Sequence, residues 1–219
     1  MKVLFEDNEV IVIVKPVGVP SETTQNGEKG ILDLLKNQYG LTDVFLLHRL
    51  DRNVGGVMVF AKNKKSAACI SKQIQENTFK KTYLAVVDGV IEEKQGVYKD
   101  LLFKDSSKNR SFVVKRMRKG VKEASLEYIV LNETENKTLV KVTLHTGRTH
   151  QIRVHFSYMG TPLTGDDMYG EKSGVLQRHA LHCGKMTFIH PVTGERISVT
   201  APLHEDMQKI YEKICENQK

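Results

Sequence analysis

The segment LLHRLDRNVGGVMVFAKN, residues 46–63, combines the strongest fold signal of this sequence with its most unusual group of polar residues. Its second half, residues 57–61, is an apolar run of the kind that forms a buried strand. Gly55 and Gly56 come directly before that run and favour a sharp change of chain direction. The segment therefore predicts a turn that leads into a buried strand and holds polar residues at a sheet edge.

One acid in this turn, Asp51, stands among His48, Arg49 and Arg52. Neighbouring cations favour the ionised form of a carboxyl group. A carboxylate held in such a place can serve as a nucleophile or as a base. The alternative, which is the more common role for a lone aspartate, is a carboxylate that caps a turn or pairs with an arginine at the surface.

Alternating apolar runs and helical spacings continue along the chain. Strands are predicted at residues 10–14, 57–61, 82–90, 96–103, 111–115, 124–131, 138–145, 178–189 and 196–200. Helices are predicted from residue 31 to a stop at Gly40, at residues 64–77 and from about residue 204 onwards. Residues 149–158 fit a helix or a strand, and flanking glycines favour the helix. We expect an α+β fold with a mainly antiparallel mixed β-sheet flanked by helices and loops, built as a single domain of residues 1–219.

Composition and charge narrow the class of protein. With 219 residues, of which 40% are hydrophobic, the chain can build a proper core, so disorder is not the default. The 33 Lys and Arg outnumber the 26 Asp and Glu, and the net charge of +7 indicates an anionic partner such as nucleic acid. Residues 104–122 carry eight basic side chains and one acid, a surplus equal to that of the whole chain. The alternative is a solvated hairpin face.

Cysteine content and hydropathy indicate the compartment. The three cysteines contain no C-x-x-C pair, which argues against a disulfide framework and against a zinc ribbon. Acids interrupt the apolar run at the N-terminus, so it lacks the core of a signal peptide, and no stretch is long enough to span a bilayer. We expect a cytoplasmic protein.

A second polar segment, HTGRTHQIRVHFSYMG at residues 145–160, concentrates arginines and histidines. The histidines recur every five residues, so one helix face or strand face cannot hold them as a metal site. Arg148 and Arg153 fit recognition of phosphate or pairing with a carboxylate, and a solvated basic helix is the alternative.

Two shorter segments complete the set. Lys15 opens KPVGVP, which taken alone predicts only a rigid connection. Tyr83 follows two lysines in KKTYLA. On a strand it is typical of a core aromatic, and beside a nucleic acid it can stack on an extruded base.

Taken in order, these segments resemble the RluA-type family of RNA pseudouridine synthases. The matching segments are KPVG (15–18), HRLD (48–51), GVMVFAKN (56–63), KTYLAVVDG (81–89), TGRTHQIRVH (146–155), PLTGDDMYG (162–170), RHALHC (178–183), HPVTGE (190–195) and TAPL (200–203). The resemblance covers nearly the whole chain, and HRLD together with TGRTHQIRVH is its most specific part.

The resemblance implies a catalytic-domain fold with a central RNA-binding cleft and an enzyme that isomerises specific uridines of ribosomal or transfer RNA to pseudouridine. It implies no cofactor, and we expect no metal, no membrane and a monomer. Asp51 matches the catalytic aspartate, which is proposed either to attack the anomeric carbon or to help remove the neighbouring 2′ proton. Tyr83 matches the tyrosine that stacks on the target base, and Arg153 the arginine that pairs with the carboxylate. Arg49 matches the arginine that helps hold the target nucleotide out of the RNA stack.

Basic and polar side chains of the matching segments and of the basic run are the expected RNA contacts. They are Lys15, His48, Arg49, Arg52, Arg116, Arg118, Lys119, Arg148 and His150. For the residues of the basic run the physical reason is counterion release from backbone phosphates.

Two departures from the family accompany the match. Val54-Gly55-Gly56 stands where many relatives have Thr-Ser-Gly, which removes two hydroxyls near Asp51. The chain also begins almost directly at the catalytic domain, so we expect it to lack the small N-terminal RNA-binding module of many relatives. The alternatives are a non-catalytic RNA-binding protein and hydrolysis of an N-glycosidic bond, for which Asp166 or Asp167 would have to be the second carboxylate. The more common role for these two aspartates is a structural one in the turn of residues 165–170.

Overall fold

The computed structural model describes residues 1–171 and 176–216. In chain order the elements are β1 (Lys2–Glu6), β2 (Val10–Lys15), α1 (Ile31–Tyr39), β3 (Phe45–Leu46), β4 (Gly55–Ala61), α2 (Lys64–Gln75), β5 (Lys80–Asp88), β6 (Gln95–Asp105), β7 (Arg110–Val114), β8 (Val121–Glu133), β9 (Lys137–Leu144), α3 (Gln151–Tyr158), β10 (Leu181–Ile189), β11 (Arg196–Thr200) and α4 (Glu205–Glu216). Each predicted strand and helix is present, and the ambiguous segment is the helix α3. The prediction missed β1 and the short β3.

The chain divides into two compact units. The first comprises Met1–Lys81 and His182–Leu203, and the second comprises Thr82–Leu181 and His204–Lys219. The single domain of residues 1–219 stays a prediction.

In the first unit the strands follow the order β1-β2-β4-β10, with β3 paired to β4 and β11 paired to β10. β4 and β10 run parallel, and the other pairs are antiparallel. Residues 10–13 of β2 and residues 57–61 of β4 are fully buried. Burial on both faces explains why these strands are continuous apolar runs rather than alternating ones.

In the second unit the order is β5-β9-β8-β6-β7. β8 pairs antiparallel with β9 and with β6, and β6 pairs antiparallel with β7. Alternate residues Ala124, Leu126 and Tyr128 of β8 are buried, which is the pattern of a sheet with one covered face. The helix α3 contacts β6 and β7, and α4 contacts β8 and β9. Antiparallel pairs dominate both units and four helices accompany them, which confirms the α+β prediction.

Candidate active site

Asp51 lies between β3 and β4 in a turn whose backbone is held from its N-terminal side, and its side chain is partly exposed. The Asp51 carbonyl accepts a hydrogen bond from the Val54 N–H at 3.0 Å, which closes the turn. The buried Ser21 hydroxyl donates to the Leu50 carbonyl at 2.7 Å and accepts from the Leu50 N–H at 3.1 Å. The residue before Asp51 is therefore fixed by two hydrogen bonds, which is the kind of support that keeps a functional group in place.

Lys15 holds the C-terminal side of the same turn. Its side chain is fully buried. Its ammonium donates to the carbonyl oxygens of Pro16 at 2.8 Å, Val19 at 2.6 Å and Arg52 at 3.0 Å. An ammonium group has three N–H donors, and these carbonyls match that number. The buried ammonium joins the KPVG loop to the residue after Asp51, and contact of Lys15 with RNA stays a prediction.

His48 also serves the backbone. Its Nε2 accepts a hydrogen bond from the Val59 N–H at 3.2 Å. Val59 lies in β4 between the residues that pair with β10 and those that pair with β3, so the imidazole replaces a strand partner there. Burial, with the nearby charge of Lys81, lowers the pKa of His48 from 6.5 to about 3. The His48 ring is buried against Phe79, with ring centroids 5.6 Å apart, and contact of His48 with RNA stays a prediction.

Arg49 and Arg52, by contrast, extend from the turn to the surface. Arg49 pairs with Glu22 at 2.8 Å, and Arg52 pairs with Glu28. The arginine side chains are 60% and 48% exposed. Exposed ion pairs of this kind contribute little to stability, so a stronger anion can replace the carboxylates. Both arginines are exposed, and their contact with RNA stays a prediction.

Tyr83 lies on β5 and belongs to the second unit. Its side chain is only 5% exposed, as expected of an aromatic residue that packs in the core. Its stacking on the target base stays a prediction.

Arg153, on α3, forms a two-point ion pair with Asp166. Nε lies 2.6 Å from Oδ2 and Nη2 lies 2.8 Å from Oδ1, and both side chains are almost completely buried. This fork geometry fixes the plane of the guanidinium group as well as its position. The sequence predicted a carboxylate partner for Arg153 but not this one, because the two residues are brought together only by the fold.

Asp166 is bound from several sides. Its Oδ1 also accepts the N–H groups of Met168 and Tyr169, both at 3.2 Å. Burial raises the pKa of the Asp166 carboxyl, but the hydrogen bond and charge of Arg153 outweigh it, so the pKa lies below its usual range. A carboxylate bound in this way is a structural anion and not the second carboxylate that glycoside hydrolysis needs. Asp167 is exposed and adjoins it in the same turn.

Tyr169 and Arg110 are residues that sequence reasoning missed. The guanidinium groups of Arg110 and Arg153 both lie over the Tyr169 ring. The available signal for Tyr169 was the matching segment PLTGDDMYG, in which it stands three residues after Asp166.

Arg148 and His150 lie at the start of α3. The Arg148 Nε donates to the Glu123 carbonyl at 2.8 Å, and the side chain remains partly exposed. His150 has a φ of +54°, an unusual backbone conformation for a non-glycine residue, and its Nδ1 lies 3.0 Å from the Tyr169 hydroxyl. RNA contact by these two residues stays a prediction.

The basic run of residues 104–122 extends from the end of β6 through β7 to the start of β8. Arg116, Arg118 and Lys119 lie in the exposed loop between β7 and β8. Arg118 lies over the Phe103 ring at 5.1 Å, and within the part of the chain that the structure describes none of the three has an acidic partner. We call these three residues the basic loop.

The described residues contain neither a metal-ion cluster nor a membrane-spanning helix. Among residues 1–171 and 176–216, no group of three His, Cys, Asp or Glu side chains is arranged to hold a metal ion. No helix in the same residues has the length and apolar character needed to cross a membrane.

Comparison with known proteins gives matches of two kinds. Residues 9–158 match the model of a family described as RNA pseudouridylate synthase. A Bacillus subtilis protein named uncharacterized RNA pseudouridine synthase YhcT is 36% identical over 217 residues, which cover 96% of this chain and 71% of the relative. The ribosomal large subunit pseudouridine synthase C of Pasteurella multocida is 34% identical, over 95% of this chain and 66% of its own length.

Solved structures agree with this result. The human RNA pseudouridylate synthase domain containing 4 superposes with a TM-score of 0.81 at 25% identity, over 98% of this chain and 93% of that one. The human RNA pseudouridylate synthase domain containing 1 gives 0.73 at 21% identity, which shows the fold alone.

Proposed function

The chain belongs to the family of RNA pseudouridylate synthases, and from that premise we propose that its Asp51 turn carries out the family's reaction. The protein is an RNA pseudouridine synthase, an isomerase that converts uridine in RNA to pseudouridine. The observation that carries the proposal is the way in which Ser21 and Lys15 fix the backbone on either side of Asp51 while Asp51 itself stays partly exposed.

In this reaction the bond between N1 of uracil and C1′ of ribose breaks, and a bond between C5 and C1′ forms. The proton on C5 leaves and N1 gains a proton, so that atoms and electrons balance without an oxidant or a second substrate. Asp51 acts either by attacking C1′ or by removing the 2′ proton. Both routes require an anionic carboxylate in a fixed position, which the held turn supports.

Arg153 is proposed to support that carboxylate, in the role that the family resemblance implies. Its two-point ion pair with Asp166 fixes the plane of its guanidinium group. Tyr83 is proposed to stack on the target uracil. Arg49 is proposed to enter the space that the flipped nucleotide leaves, because extrusion costs a few kcal/mol and a cation there offsets part of it.

The RNA substrate is proposed to be ribosomal or transfer RNA. The names of the relatives from Pasteurella multocida and Haemophilus ducreyi refer to the large ribosomal subunit, which makes ribosomal RNA the first substrate to test. The basic loop is proposed to grip the phosphate backbone. A monomeric state and a cytoplasmic location stay predictions.

The test uses ribosomal RNA and transfer RNA transcribed with uridine that carries tritium at C5. The wild type should release tritium, and Asp51→Asn should release none. The control Asp167→Asn, which changes the exposed carboxylate next to Asp166, should behave as the wild type. Release by Asp51→Asn at the wild-type rate would refute the assignment of Asp51. Free uracil in place of pseudouridine would instead indicate hydrolysis, and RNA binding without tritium release would indicate a non-catalytic protein.

A further inference from the structure

Tyr169 is a buried aromatic residue on which two arginines converge. The Cζ of Arg110 lies 4.9 Å from the ring centroid, and the Cζ of Arg153 lies 5.0 Å from it. Arg110 comes from β7 and Arg153 from α3. A cation within about 6 Å of an aromatic centroid is attracted to the ring, and more strongly where water is excluded. The ring therefore restrains both guanidinium groups.

The hydroxyl of Tyr169 fixes the ring in turn. It accepts the Ser111 N–H at 2.7 Å, and it lies 3.0 Å from Nδ1 of His150. These two contacts hold the phenol oxygen from two sides, because a tyrosine hydroxyl can both accept and donate a hydrogen bond. Burial raises the pKa of Tyr169 above its usual value, so the hydroxyl stays protonated.

One short turn supplies both restraints on Arg153. Asp166 and Tyr169 lie three residues apart, and the Gly170 N–H closes the turn on the Asp166 carbonyl at 2.7 Å. The Tyr169 N–H also binds the Asp166 carboxylate at 3.2 Å. The carboxylate fixes the edge of the guanidinium and the ring lies under it, so a shift of this turn moves both contacts together.

We propose that Tyr169 is a positioning residue for the isomerisation, which holds Arg153 in a single orientation and links it to β7 through Ser111 and Arg110. This inference rests on the proposed role of Arg153. It goes beyond that role because it assigns to Tyr169 an effect on the chemical step, and because it connects Arg153 physically to the hairpin that carries the basic loop.

The experiment compares three variants with the wild type under single-turnover conditions at saturating enzyme. Tyr169→Leu removes the ring, Tyr169→Phe keeps the ring and removes the hydroxyl, and Tyr158→Phe is the control, an exposed tyrosine on the same helix as Arg153. For each protein we would measure tritium release, RNA affinity, melting temperature and the ¹⁵N–¹H signal of the Arg153 Nε.

Tyr169→Leu should lower the rate constant about 30-fold or more, since small displacements of a catalytic group cost up to about 100-fold. RNA affinity should change less than about threefold, because Tyr169 is buried away from solvent. Tyr169→Phe should lose about three- to tenfold in rate, and the control should lose nothing. The Arg153 Nε signal should broaden or shift in the Leu variant and stay sharp in the control.

A wild-type rate in a folded Tyr169→Leu variant would overturn the inference and leave the family reaction intact. A loss confined to RNA affinity would also overturn it. If Tyr169→Leu does not fold, Tyr169→Phe decides, and an unchanged rate with an unchanged Arg153 signal counts against positioning. If the wild type itself releases no tritium from either RNA, the proposed function fails and this inference fails with it.

Discussion

Ser21 and Leu50 exchange two hydrogen bonds, with the Ser21 hydroxyl donating to the Leu50 carbonyl and accepting the Leu50 N–H. Both residues are buried, and Leu50 directly precedes Asp51. Ser21→Ala leaves a buried N–H and a buried carbonyl without this partner, which should cost about 1–3 kcal/mol of unfolding free energy. The unfolding free energy, measured with denaturant, and the rate of tritium release should both fall. The control Ser106→Ala, at an exposed turn, should change neither. A Ser21→Ala variant as stable and as active as the wild type would contradict this account of the turn.

Lys15 should be needed for stability rather than for RNA affinity. Lys15→Met keeps the length of the buried side chain and removes its bonds to three carbonyls, of which Arg52 flanks Asp51. The expected loss is about 2 kcal/mol or more, because hydrogen bonds to a charged group contribute about 1.5–3 kcal/mol. Chemical unfolding measures it, with Lys36→Met on the exposed face of α1 as the control. Weaker RNA binding with full stability would reverse the assignment.

The two glycines after Asp51 should respond differently to substitution. Gly56 has a φ of +124°, and a Cβ there would overlap the Cys183 backbone, so Gly56→Ala should cost about 3 kcal/mol or more. At Gly55 a Cβ would lie 3.1 Å from Cγ2 of Val17, a side chain that can shift, so Gly55→Ser should cost about 1 kcal/mol. Melting curves and tritium release test both. Equal losses of stability in the two variants would contradict this difference and would show that a serine at position 55 is unfavourable for a reason other than Val17.

Acidification should destabilise the protein through His48. Its folded pKa of about 3 lies below the ordinary 6.5, so unfolding takes up a proton between these values. Stability from this group is complete above about pH 6.5 and declines as the pH falls towards 3. His48→Gln, which retains an acceptor for the Val59 N–H, should reduce proton uptake on unfolding by about one at pH 5. The same pH slope in both proteins would show that His48 is not the group responsible.

The basic loop should dominate the salt dependence of RNA binding. Replacing Arg116, Arg118 and Lys119 by Ala should weaken binding and reduce the slope of log K against log salt by up to about 2–3, as three phosphate contacts require. A control of equal charge replaces exposed Lys36, Lys209 and Lys213 on α1 and α4. Unchanged affinity of the basic-loop variant at every salt concentration would show that the loop is only a solvated surface.

Most of the fold could be predicted from the sequence, because buried strands and helices have characteristic patterns of apolar residues. Residues 10–14 and 57–61 are β-branched or apolar without interruption, as strands covered on both faces must be. The short β3 left no such pattern, since two residues cannot show a period. The helix α3 was recognised from its flanking glycines, although residues 151–156 are all buried and give no polar face.

The site was less readable, because residue type does not say where a side chain points. Lys15 and His48 both lie in segments that match the family. The Lys15 ammonium nevertheless binds a carbonyl of its own loop, and the His48 ring accepts the Val59 N–H in place of a strand partner. In both cases the side chain binds buried backbone groups, three carbonyls for Lys15 and the Val59 N–H for His48. Which backbone groups need such a partner is decided by the folded structure and not by the local sequence. The ion pair of Asp166 with Arg153 was missed for a related reason, since only the tertiary structure brings the two residues together.

The pairing of Arg49 with Glu22 and of Arg52 with Glu28 gives the protein internal counterions beside Asp51. A phosphate that binds either arginine displaces a carboxylate of the same chain instead of a dissolved anion. Such an exchange releases few bulk ions, so these two arginines can bind RNA while adding little to its salt dependence. The displaced carboxylates then face the RNA as like charges, which favours a nucleotide that fits closely over one that only supplies negative charge.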